Sequence, residues 1–149
     1  MAAVRTTLKA PPCRIVAREA ERHRMPELVA GNLTGRPERV HAIVGMPGVG
    51  KSALARYLAH QLAADFPDAQ FELDLYGHTP DRAPLNAQAA MEALLTWAGI
   101  SGDDAPNLDA KAALWRNWLH GRRGLLLLDN ARRWNRWRAC SPATTAVLS

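Results

Sequence analysis

One stretch of eight residues has the composition needed to hold a chain of phosphate groups. It fits the pattern G-x-x-x-x-G-K-[ST] without a mismatch and consists of Gly45, Met46, Pro47, Gly48, Val49, Gly50, Lys51 and Ser52. Its glycines allow successive backbone N–H groups to face an anion at the positive end of a following helix. Lys51 would lie between the outer phosphates, and the Ser52 hydroxyl would complete a Mg²⁺ shell. The stretch predicts a phosphate-binding loop; the alternative is a glycine turn that happens to precede a helix.

A second group of candidate residues closes a run of four leucines. Asp129 follows Leu125–Leu128, and its carboxylate could hold Mg²⁺ through water, although an aspartate that merely opens a turn is the alternative. Asn130 stands where many hydrolases carry an acidic residue that activates water. An asparagine can orient a water molecule but cannot accept its proton, so we expect ATP hydrolysis to be slow or absent.

The elements that must position these residues alternate between strand and helix patterns. Strand patterns cover residues 39–44, 71–75 and 125–129, and helical patterns cover about 53–66, 86–98 and 109–120. This alternation predicts the α/β class, with a three-layer P-loop fold and a parallel sheet. The leucine run fits a strand covered on both faces. Residues 71–75 alternate apolar and acidic side chains, which favours an edge or half-exposed strand.

Composition narrows the class of protein without deciding its function. The chain has 149 residues, of which 48% are apolar and 22% charged, so it can form one domain with a hydrophobic core. A net charge of +5 is compatible with nucleic acid, an acidic surface or a nucleotide as the partner. Cys13 and Cys140 match no metal-ligand spacing, which favours free thiols and a cytoplasmic location. No apolar run approaches the length of a membrane span, so no membrane contact is expected.

The two ends of the chain are less informative than its middle. Residues 1–13, which include Pro11 and Pro12, predict a flexible lead-in, so the nucleotide-binding domain is placed at residues 14–149. The segment Arg132–Arg138 interleaves arginine with tryptophan, as surfaces for single-stranded nucleic acid do. We favour an ordinary helix whose tryptophans pack inward while its arginines stay in water. Direct nucleic-acid binding is therefore the less favoured interpretation.

Four stretches together resemble the nucleotide-binding core of the STAND-class P-loop NTPases, the NB-ARC group. They are residues 15–19, similar to an h-h-G-R-E motif; 45–55, similar to the Walker A loop and its helix; 66–77, similar to the second strand; and 125–132, similar to Walker B. The version in actinobacterial SARP-type transcriptional regulators is the most similar, and there an asparagine after the Walker B aspartate is usual. Ala17 departs from the motif, which usually has glycine at this position.

The resemblance implies roles for particular residues. Val16 and Arg18 would lie on the adenine side of ATP or ADP, and the phosphate side would be formed by Gly45, Met46, Pro47, Gly48, Val49, Gly50, Lys51, Ser52 and Ala53. Lys51, Ser52 and Asp129 would handle phosphate and Mg²⁺, with Lys51 and Asp129 as the groups for any catalysis and Asn130 as a weaker candidate.

The resemblance also implies a regulatory switch. Proteins of this group are closed with ADP, and exchange for ATP permits oligomerisation and signalling to an attached effector or DNA-binding domain. Because the chain stops at Ser149, apparently within the next core strand, we expect a sheet that is incomplete at the C-terminus and a fragment or minimal relative of a regulator. The alternative function is an active P-loop ATPase or a kinase-type phosphotransferase.

Overall fold

A parallel β-sheet runs through the molecule. The computed structural model describes residues 5–13, 19, 20, 22–24, 39–44, 46, 48–131 and 145–148. Within them, the strands are β1 (Arg5–Thr6), β2 (Arg39–Ala42), β3 (Ala69–Asp74), β4 (Gly124–Asp129) and β5 (Thr145–Leu148). They lie in the order β1-β3-β4-β5-β2, and every neighbouring pair is parallel. The prediction of an α/β fold with a parallel sheet is confirmed.

The leucine run forms β4, and all six residues of this strand are buried. Because side chains alternate across a strand, its leucines enter two different hydrophobic clusters. Leu125 and Leu127 pack on one face of the sheet with Leu54 and Leu58. Leu126 and Leu128 pack on the opposite face. The sheet is therefore covered on both sides, which gives the predicted three layers.

Within the described residues, three helices of twelve residues each form the layers on the two faces of the sheet. Helix α1 (Lys51–Leu62) covers the first face, and helices α2 (Ala87–Ala98) and α3 (Leu108–Leu119) cover the second. The side chain of Asn86 caps α2 by accepting a hydrogen bond of 2.8 Å from the Ala89 amide, as its sequence position suggests. Asn107 caps α3 in the same way. These caps define where the helices begin.

Strand β3 does not lie at an exposed edge, and that prediction is wrong. It is hydrogen-bonded to β1 on one side and β4 on the other. Phe71 and Leu73 point into the cluster under α2 and α3, so the apolar half of the alternation behaves as expected. Glu72 points toward α1 but is only 4% exposed. The acidic position faces an arginine of α1 instead of water, as described below.

The structure also differs from the predicted lead-in at residues 5–9. Arg5–Thr6 pairs with β3, and the Thr7 amide donates a hydrogen bond of 2.9 Å to the Gln70 carbonyl. Leu8 packs against the cluster under α1. The unpaired edge of β3 offers backbone hydrogen bonds to any extended segment, and residues 5–7 form them.

The arginine-tryptophan segment and Cys140 lie outside the described residues. Within the described part of the chain, none of the helices is long and apolar enough to cross a membrane.

Candidate functional site

The glycine loop leads directly into helix α1. Gly48 and Gly50 have φ values of +79° and +80°, which are favourable for glycine and strained for other residues. A Cβ atom built on either glycine would meet nothing within 4 Å, so there is open space beside the loop. Lys51 begins the helix, and its ammonium donates a hydrogen bond of 3.0 Å to the Met46 carbonyl. A lysine held across the loop in this way is already close to the place that phosphate groups would take.

Ser52 and Asp129 meet although 77 positions separate them in the sequence. Ser52 lies in the first turn of α1, and Asp129 is the last residue of β4. The Ser52 hydroxyl donates a hydrogen bond of 2.7 Å to Asp129 Oδ1, and Asp129 is 3% exposed. Hydroxyl and carboxylate oxygens are hard ligands of the kind that Mg²⁺ prefers. With the open glycine loop beside them, these two residues fit a Mg²⁺–phosphate group.

Asn130 is held by the neighbouring strand. Its φ is +58°, a left-handed conformation that asparagine tolerates better than most residues. Its side-chain amide donates a hydrogen bond of 3.0 Å to Asp74 Oδ1, which also accepts one of 2.8 Å from the Tyr76 amide. Asp74 and Asp129 are partners in the register of β3 and β4. The carboxyl ends of two adjacent strands therefore converge beside the loop, where ligands bind in open α/β sheets.

Arg56 is a residue of this site that the sequence interpretation missed. Its Nε donates a hydrogen bond of 2.7 Å to Glu72 Oε1, and its Nη2 lies 3.4 Å from Asp129 Oδ2. The sequence contained one indication that Arg56 lies near this site. Arg56 follows Ser52 by four positions and therefore lies on the same face of the helix. What the sequence did not reveal is that this face meets a buried glutamate.

The remaining predicted site residues fall into two groups. Val49 is 37% exposed in the loop, Met46 is 75% exposed, and Ala53 is half-buried in the first turn of α1. The other four, Val16, Arg18, Gly45 and Pro47, lie outside the described residues. The structure therefore brings Ser52 and Asp129 into contact and joins Lys51 to Met46, whereas the binding of phosphates, Mg²⁺ and adenine by the predicted residues stays a prediction.

Comparison with known proteins places this arrangement in a family. The model of the AAA ATPase domain family matches residues 14–140 of the chain. The chain belongs to the AAA ATPase domain family. The matched segment of this AAA ATPase domain includes the glycine loop, helix α1, and both Asp129 and Asn130.

Two relatives of this AAA ATPase domain are regulatory proteins. The chain is 39% identical to the regulatory protein AfsR of Streptomyces coelicolor over 112 residues. This aligned segment covers 74% of this chain and 11% of that protein. The chain is 42% identical to the regulatory protein AfsR of Streptomyces griseus over 93 residues. This segment covers 62% of this chain and 9% of that protein. The matches thus span about a tenth of the length of these regulators. They support the predicted relation to regulatory proteins.

Solved structures support the fold. The Aeropyrum pernix ORC2 protein in ADPNP-ADP complexes superposes with a TM-score of 0.59 at 16% identity, over 93% of this chain and 42% of that one. Its ADP form gives a TM-score of 0.55 at 14% identity, over 94% of this chain and 43% of that one. The chain spans about two fifths of these neighbours. At this level of identity the likeness concerns the P-loop fold alone.

Proposed function

We propose that this AAA ATPase domain binds ATP or ADP together with Mg²⁺ and acts as a regulatory switch of the STAND/NB-ARC type. The observation that carries the proposal is the contact of 2.7 Å between the Ser52 hydroxyl and Asp129. It joins the residue after the glycine-loop lysine to the aspartate at the end of the leucine strand. A Mg²⁺–phosphate group needs these two oxygens side by side.

Each part of the site has a role in this proposal. The loop from Gly48 to Gly50 contributes backbone N–H groups to the phosphates, and Lys51 contributes a positive charge. Ser52 and Asp129 hold the Mg²⁺, which when bound neutralises phosphate charge. Val16 and Arg18 are assigned to the adenine side by the family resemblance. The ADP and ADPNP named for the ORC2 structures agree with an adenine nucleotide.

We propose that the domain holds its nucleotide for long periods and hydrolyses it slowly or not at all. Asn130 cannot accept a proton from water, and its side-chain amide already donates to Asp74. An active ATPase or a phosphotransferase would need a general base at this position, and an asparagine cannot serve as one. The nucleotide state would therefore act as the signal, read by an effector domain or by self-association in a full-length regulator.

Calorimetric titration tests the binding site. Wild-type protein should bind ADP and ATP, and binding should weaken when Mg²⁺ is removed. The substitution Lys51→Ala should weaken binding by about tenfold or more, because a charge-assisted contact to phosphate is lost. Arg116→Ala is the matched control, since it removes an exposed positive charge from α3 on the other face of the sheet. Equally poor binding by wild type and Lys51→Ala would refute the proposal.

Phosphate release tests the proposed slow hydrolysis. Typical enzymes turn over at about 1 s⁻¹ or faster. We expect this domain to release phosphate far more slowly under saturating ATP and Mg²⁺. Turnover in the ordinary enzyme range, abolished by Lys51→Ala, would support the active ATPase instead.

A further inference from the structure

A buried carboxylate lies beneath the proposed Mg²⁺ site and is not explained by nucleotide binding. The Glu72 side chain is 0% exposed. Its Oε2 accepts a hydrogen bond of 3.0 Å from the Lys9 amide, and its Oε1 accepts one of 2.7 Å from Arg56 Nε. The Lys9 ammonium stands 3.6 Å from Oε1 but is 56% exposed. The Arg56 side chain is 24% exposed, so Arg56 is the less exposed of the two positive charges that compensate Glu72.

The same guanidinium also reaches Asp129. Its Nη2 lies 3.4 Å from Asp129 Oδ2, while Asp129 Oδ1 faces Ser52. The planar fork of an arginine usually meets one carboxylate with two parallel hydrogen bonds. Here its donors are divided between two carboxylates, with a short contact to Glu72 and a long contact to Asp129. Glu72 thus anchors the guanidinium, and Asp129 receives the weaker share.

We propose that Arg56 is a positioning residue that sets how strongly nucleotide binding depends on Mg²⁺. The inference rests on the proposed function, in which Ser52 and Asp129 hold the ion. Without Mg²⁺, the Arg56 guanidinium offsets the charge of Asp129, which would otherwise repel the phosphates of a nucleotide. When Mg²⁺ is bound, Asp129 would contribute its carboxylate to the metal shell, and Arg56 would retain its contact with Glu72.

This division of the guanidinium predicts opposite effects for replacing Arg56 and for replacing its anchor Glu72. In Arg56→Lys the compact ammonium cannot serve both carboxylates, so Asp129 loses the share of compensation that Arg56 gives it, and nucleotide binding comes to depend more on Mg²⁺. In Glu72→Gln the anchoring charge is removed, so the guanidinium is free to pair fully with Asp129. Arg56 then competes better with the ion, and the dependence on Mg²⁺ becomes weaker.

The experiment measures ADP affinity by calorimetry with saturating Mg²⁺ and with a chelator, and the quantity compared is the ratio of the two affinities. We expect Arg56→Lys to raise this ratio by about fivefold to tenfold, and Glu72→Gln to lower it by about threefold or more. Arg56→Gln is a second variant that should raise the ratio further. Arg116→Ala should leave it unchanged. Thermal unfolding identifies any variant that does not fold.

A double-substitution cycle tests whether Arg56 acts through Asp129. In an Asp129→Asn background, Arg56→Lys should change the ratio by less than about twofold, because the partner it compensates is gone. A merely structural role would shift the ratio in the same direction for Arg56→Lys and Glu72→Gln, and that result would overturn the inference. An unchanged ratio in both variants would overturn it as well, while leaving the proposed function intact. Failure of wild-type protein to bind ADP would overturn both.

Discussion

Replacing Ser52 with alanine removes one hydroxyl from the point where helix α1 meets strand β4. That hydroxyl donates a hydrogen bond of 2.7 Å to the buried carboxylate of Asp129. In the proposed complex, the same oxygen is a ligand of Mg²⁺. One substitution should therefore lower the stability of the free protein and also reduce its response to nucleotide.

The expected loss of stability in Ser52→Ala depends on the hydrogen bonds that Asp129 retains. A hydrogen bond to a charged group contributes about 1.5–3 kcal/mol to the free energy of unfolding. Asp129 keeps the Asn130 amide at 2.9 Å and Arg56 at 3.4 Å, so the low end of about 1.5 kcal/mol applies. Alanine is a better helix former than serine by up to about 0.5 kcal/mol. The net loss is about 1 kcal/mol, which corresponds to a fall of about 2–4 °C in the unfolding temperature.

Thermal unfolding with and without Mg²⁺–ADP measures both effects. A ligand at 100 times its Kd stabilises a protein by about 2.7 kcal/mol, or about 5–10 °C for a domain of this size. Ser52→Ala should show less than half of this shift at the same ligand concentration, and Ser52→Thr, which keeps a hydroxyl, should show most of it. If Ser52→Ala responded to Mg²⁺–ADP as wild type does, or if Ser52→Thr were as impaired as Ser52→Ala, the Ser52 hydroxyl would not be the group that holds the ion.

Three further substitutions test other parts of the structure. Gly50→Ala and its control Gly121→Ala both place a side chain in open space at a positive φ. Each should therefore lower the free energy of unfolding, measured in urea, by about 1–2 kcal/mol. Only Gly50→Ala should also weaken ADP binding. Asn86→Ala removes the cap of α2 and should cost about 1 kcal/mol in the same assay, with helix content by circular dichroism retained. The hydrogen bond and charge of Lys111 lower the pKa of Glu92, so their stabilising effect is present at neutral pH and is lost as the pH falls through that lowered pKa. Glu92→Gln should therefore unfold at a lower temperature than wild type at neutral pH, and the difference should shrink steadily on acidification; a constant difference would contradict this.

Much of the fold could be predicted because its signals are local. The leucine run of β4 is apolar at every position, and a strand of that kind must be covered on both faces, as it is. The helical spacing of residues 87–98 and the asparagine before it define a capped helix. The glycine loop also gave a specific expectation for Ser52 and Asp129, which the structure brings together. These features depend on patterns within one element or on a motif of fixed chemistry.

The position of Glu72 could not be predicted because its environment depends on a distant residue. An acidic residue between Phe71 and Leu73 looks the same in sequence whether its side chain faces water or the guanidinium of an arginine on a neighbouring helix. Here, α1 lies against that face of β3, and Arg56 meets the glutamate at 2.7 Å. Burial of a charge is favourable only when a partner of opposite charge is also in place. The strand pattern records the alternation but not the partner.

The asparagine after Asp129 is matched to its surroundings in two ways. First, its φ of +58° suits asparagine, whereas a glutamate would bear more strain. Second, its side chain stands 3.0 Å from the carboxylate of Asp74, and the amide is the donor in that contact. A carboxylate at position 130 would replace this hydrogen bond with repulsion between like charges.

Asp74 and Asp129 already lie opposite each other in the register of β3 and β4. A third carboxylate at position 130 would therefore concentrate negative charge beside the proposed phosphate site. These local constraints explain why an asparagine, and not an acidic residue, fits the end of β4, and the proposed slow hydrolysis depends on that asparagine.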